Sequence, residues 1–139
     1  MDDSAAVALV VATSLHAGFQ AVVTLLVYPA FGDVPPERWG RFHDDHSRRI
    51  AGIVVVVYGL LLAASAWIVA AGPRNPGTLA AVALAATAML TTALVAAPTH
   101  GRLTPDRGER ELRRLLRADY VRFAAAVLAA GAAIVGLGF

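Results

Sequence analysis

The stretch "GRFHDDHSRRI", residues 40–50, sets His43 and His46 three residues apart, directly before a long apolar run. Imidazole titrates near neutrality, and its neutral form is the commonest protein ligand for transition metals, so such a pair can bind a metal or move protons. A third histidine, His100, ends "APTHGRL", and "LLRADYVRF" supplies Asp119 and Arg122. Arg122 suits an anionic or phenolate oxygen, and Asp119 suits the orienting of a histidine. Three readings of His43, His46 and His100 stay open. They are ligands for copper or iron, less readily zinc; or they bind substrate and act as acid or base; or they merely sit at an interface. His-x-x-His by itself is a weak motif, without the glutamate of His-Glu-x-x-His. Asp119 with Arg122 also has a plain reading, an ion pair that anchors its helix at the headgroups. The chain has no cysteine, which excludes disulfides and thiolate chemistry. No phosphate-binding glycine loop, nucleotide fingerprint or Ser/His/Asp arrangement is visible.

The elements that must position these residues are membrane helices. Of 139 residues, 58% are hydrophobic, with mean hydropathy +0.62. A span needs about 20 apolar residues to cross roughly 30 Å of hydrocarbon. Four segments qualify, at about 5–29, 50–72, 77–97 and 119–138. The start "MDDSAAVALV" is acidic where a signal peptide is basic, so the first segment reads as a retained helix. Pro35 and Pro36 suit a helix's first turn, which starts helix two near Glu37 and projects it below the bilayer. "AAGPRNPGTLAA" reads as a tight turn, and no internal repeat stands out. Short connections predict one domain over residues 1–139, an all-α, integral membrane, antiparallel four-helix bundle.

All twelve basic residues are arginines, and most lie in two loops. Arg38, Arg41, Arg48 and Arg49 flank the first connection; Arg102, Arg107, Arg110, Arg113, Arg114 and Arg117 fill the third; the intervening turn has only Arg74. The positive-inside rule makes loops 30–49 and 98–118 cytoplasmic and both termini extracytoplasmic, as in a multi-pass plasma-membrane protein, and Asp2 and Asp3 fit that side. This distribution argues for lipid headgroups and against nucleic acid as the arginines' partner. Leu112, Leu115, Leu116 and Val121 among the arginines read as an interfacial amphipathic lead-in to helix four.

Helical spacing sorts the polar residues. Trp39, His43, His46, Ile50, Ile53 and Val57 form one stripe facing the bundle, while Glu37–Arg41, Asp44–Arg48 and Asp45–Arg49 read as exposed i, i+4 pairs. On helix one, Thr13, His16, Gln20, Thr24 and Tyr28 share one face, and a polar stripe in hydrocarbon must face protein or water. Antiparallel topology brings Tyr28, His43, His46, His100, Asp119 and Arg122 to the same end, with Tyr58 on helix two. His16 lies about 18 Å from the level of Tyr28, too deep for that cluster. Thr13, Thr87 and Thr91 read as hydroxyls bonded back to their own helices, and Trp39 and Trp67 as interface-belt aromatics. Helices three and four are rich in alanine and glycine, which suits close packing or a homo-oligomer.

In order and spacing, "GFQAVVTLLVYPAF", "RFHDDHSRRI", "APTHGRL" and "LLRADYVRF" resemble small four-helix membrane proteins of the DUF1772 type, a group that includes membrane anthrone oxygenases. Asp119, Tyr120, Arg122 and Phe123 stand where that family's last motif reads Asn, Trp, Arg and Thr. The resemblance implies oxidation of a small apolar aromatic or polyketide-like substrate by dioxygen. His43 or His46 would act as base or ligand, His100 as ligand or proton partner, and Arg122 as anion stabiliser. His16, Gln20, Thr24, Tyr28 and Tyr58 would shape the substrate pocket. The rival expectation is a non-enzymatic membrane accessory or lipid-binding protein.

Overall fold

Turn chemistry sets the helix boundaries. The computed structural model describes residues 3–103 and 109–138, so Asp2 and Arg107 lie outside the described residues. Its four helices are α1 (Ser4–Gly32), α2 (Pro36–Ala71), α3 (Pro76–His100) and α4 (Glu109–Gly136). Pro36 opens α2, where the missing N–H costs nothing. Asn75 and Thr78 cap α3 reciprocally: Thr78 N donates to Asn75 Oδ1 at 3.0 Å, and Asn75 N to Thr78 Oγ1 at 3.1 Å. All four helices are long and apolar enough to cross a membrane, so the chain is a multi-pass membrane protein with an all-α, four-helix architecture in a lipid environment.

The helices outrun the apolar spans. α2 begins at Pro36, ahead of residue 50, and α4 at Glu109, ahead of residue 119. α1 and α3 continue past Pro29 and Pro98, where the sequence places the ends of their spans. In each case a π-helical turn precedes the proline, Val23–Val27 in α1 and Thr92–Ala96 in α3. The widened turn absorbs the proline's missing donor and its clash with the preceding turn, so the helix runs on to Gly32 and His100. This shared device is a local likeness between α1 and α3 that their sequences conceal.

Packing is uneven. α4 lies closely against α3 and α1, and α1 against α2, whereas α2 touches α3 mainly along Pro76–Thr91. The α3–α4 approach is close enough that a Cβ on Gly77 would stand 2.6 Å from the Gly136 backbone. Leu9, Leu61, Ile68, Ala81 and Ala85 form a core at one end, and Val23, Phe31, Trp39 and Leu115 another beneath the histidines. On α2, Trp39 and Val57 are buried and His43, His46 and Ile50 half-buried, but Ile53 is 53% exposed. Val54 takes the inward position expected of Ile53. Trp39 is also not an interface aromatic: it is fully buried, while Trp67 is exposed. Of the apolar residues of the α4 lead-in, Leu115 is buried against the bundle and Val121 is exposed.

Candidate active site

The half-open seam between α2 and α3 holds a cleft of about 490 Å³. Its walls include Tyr28 of α1, His43, His46 and Tyr58 of α2, His100 of α3 and Arg122 of α4. Two hydrogen bonds bridge the seam. His43 Nε2 and His100 Nδ1 are 3.3 Å apart, and Tyr58 Oη meets Thr92 Oγ1 at 2.8 Å. The first bond needs one ring nitrogen to donate and the other to accept, so at least one imidazole of the pair is neutral. Such a pair can take a proton from a bound molecule and share it.

The histidine rings sit in an aromatic cage. His43 and His100 stack at 4.5 Å, and His46 lies 5.9 Å from His100. Phe31, fully buried, meets His46 edge-on at 5.0 Å and Trp39 at 5.3 Å. Phe42 stacks on His46 at 6.3 Å. Sequence reading missed Phe31, Phe42 and the role of Trp39, though Phe31 follows Tyr28, and Phe42 follows Trp39, by three residues on one helical face. It also missed Thr92, the partner of Tyr58.

As a metal centre the arrangement fits poorly. One nitrogen of each ring, His43 Nε2 and His100 Nδ1, engages the other, and the side chain of Asp44 is 76% exposed, 4.0 Å from His43 Nδ1. Asp45 pairs with Arg48, three residues on, in place of the expected i, i+4 partner. Among the described residues no group of three or more histidines and carboxylates is arranged to hold one ion.

Beside the cleft, Gln20, Asp119 and Arg122 close a buried triangle. Gln20 Nε2 donates to Asp119 Oδ1 at 2.6 Å, and Arg122 Nη2 donates to Asp119 Oδ1 at 3.0 Å and to Gln20 Oε1 at 3.2 Å. The pair is thus an interior one, with Asp119 and Arg122 only 1% and 6% exposed, and not a headgroup anchor. Asp119 faces Gln20 and Arg122; no bond joins it to a histidine among the described residues. Arg122 reaches the cleft wall and engages Tyr28. Thr24 Oγ1 approaches Asp119 without completing a hydrogen bond.

His16 is fully buried outside the cleft, edge-on to Tyr58 at 5.0 Å, with neither ring nitrogen partnered among the described residues. The cleft therefore gathers His43, His46, His100, Tyr28, Tyr58 and Arg122. Gln20, Thr24 and Asp119 form its backing, and His16 stands behind Tyr58. Thr13, Thr87 and Thr91 bond back to Leu9, Ala83 and Thr87 carbonyls, as expected of packing hydroxyls. In comparisons with known proteins, no family model, no curated protein and no solved structure matches the chain.

Proposed function

We propose that the chain is a membrane-embedded oxidoreductase of the oxygenase kind, acting on a small apolar aromatic or polyketide-like substrate. What carries this reading is one cleft lined by a hydrogen-bonded imidazole pair and by a buried guanidinium, in a seam between two membrane helices. An apolar substrate with an acidic C–H or O–H reaches the cleft from lipid. The His43–His100 pair accepts the proton, and Arg122, steadied by Asp119 and Gln20, holds the oxyanion. Tyr28 and Tyr58 position the ring. With an anthrone, dioxygen then adds to the deprotonated carbon and the hydroperoxide loses water, so one dioxygen gives one quinone and one water. No step is routed through a metal.

The same reading sets the cleft at the cytoplasmic side of the plasma membrane, on the strength of the arginine asymmetry between the two sets of loops. The alanine and glycine of α3 and α4, which suit either close packing or a homo-oligomer, pack within the chain, Gly77 against Gly136, so this reading does not rest on self-association. Dioxygen uptake by the purified chain with a test anthrone, alongside metal analysis, tests the proposal. Wild type should convert dioxygen to quinone in equal amounts, and His100→Phe should lose about 10²- to 10⁴-fold in rate. Stoichiometric metal that disappears with His43, His46 and His100 would restore the metal-dependent version. No uptake with any anthrone or phenol would leave a non-enzymatic accessory or lipid-binding protein.

A further inference from the structure

On the other flank of α4, away from the histidines, lies a groove of about 470 Å³ against α3. Arg110, Arg113, Arg114 and Arg117 line it from α4, and Thr91 from α3. Those arginines fall at i, i+3, i+4 and i+7, so one helical face presents them all. Among the described residues Arg110, Arg114 and Arg117 form no ion pair, and Glu111 is not part of the lining. Below the guanidiniums the floor turns apolar, with Val95, Ala118 and Val121. Val95 belongs to the π turn of α3, and the exposed Leu94 and Val121 carry the apolar surface on toward lipid.

We propose that this groove binds the phosphodiester head of an anionic membrane phospholipid, its acyl chains lying along the outer faces of α3 and α4. Planar guanidiniums match phosphate oxygens in bidentate fashion, which a diffuse positive loop does not require. Polar head above and apolar floor below match an amphiphile, whereas free phosphate would use only the upper part. The site is independent of the oxidation chemistry, because none of its lining residues faces the histidine cleft.

The test uses the full chain in detergent, titrated with short-chain phosphatidylglycerol, phosphatidylcholine or inorganic phosphate. Retained lipid is read by native mass spectrometry, and the unfolding midpoint is measured in parallel. Phosphatidylglycerol should be retained and raise the midpoint. The Arg110→Gln/Arg114→Gln/Arg117→Gln variant should lose about a hundredfold in affinity. Val121→Trp, which fills the floor and leaves every charge, should also weaken binding, while Arg38→Gln/Arg41→Gln should not. Unchanged helical content by circular dichroism in each variant separates lost binding from lost fold. Equal retention of phosphatidylcholine, unaltered binding in the triple variant, equal loss in Arg38→Gln/Arg41→Gln, or equal stabilisation by inorganic phosphate would each overturn the proposal.

Discussion

Gln20, Asp119 and Arg122 bond one another in a buried triangle, and that closure makes each hard to remove. Replacing Arg122 by Met should cost about 3–5 kcal/mol, because Asp119 would be left buried without its counter-charge. Asp119→Asn with Arg122→Met should cost less than the sum of the two single changes, a coupling that a double-mutant cycle in detergent unfolding measures. Tyr58→Phe keeps the edge-on contact with His16 but loses the bond to Thr92, for a destabilisation of about 0.5–1.5 kcal/mol in the same assay. The polar stripe on α1 was legible because a buried face repeats every three or four residues, and Thr13, His16, Gln20, Thr24 and Tyr28 are all buried. Trp39 lies on the bundle-facing stripe as its spacing predicts and not in an interface belt, for a physical reason: aromatics favour headgroups only where no partner surface covers them, and here Phe31 and Phe42 do.

At the scale of elements, Pro29 and Pro98 are the informative residues. Proline inside a helix removes a hydrogen bond and clashes with the preceding turn, so sequence reasoning ends a helix there. Each π turn relieves that conflict, and it adds the stretch that delivers Tyr28 and His100 to the cleft and Phe31 to the packing against the histidine rings. Pro98→Ala restores the donor and removes the clash, letting Thr92–Ala96 tighten toward an ordinary α-turn. That tightening should turn His100 away from His43. Thermal stability should hold or rise, while the proposed anthrone oxidation should fall roughly a hundredfold, as a misplacement near 1 Å allows; parallel melting and rate measurements check the split. A matched loss of both would show that the π turn is merely a packing feature.

For the whole molecule, four spans are legible because hydrocarbon thickness fixes a length that composition reveals. The close packing of α3 on α4 is legible in their alanine and glycine, whereas the thin contact between α2 and α3 is not, since no residue type marks it. Gly77→Ala should destabilise by about 1–3 kcal/mol, as its Cβ would meet the Gly136 backbone. Gly18→Ala, whose Cβ meets nothing within 4 Å, should be neutral or stabilise by up to about 1 kcal/mol. Unfolding curves for the two, side by side, separate helix crowding from helix propensity. The thin contact between α2 and α3 has its own kinetic consequence. If the proposed oxidation takes place in the cleft, a doorway cut sideways through the bundle would draw on molecules already dissolved in the bilayer, so turnover should follow mole fraction in the membrane phase. Adding empty vesicles at constant total substrate ought then to slow the reaction by surface dilution, even though nothing has been removed from the tube.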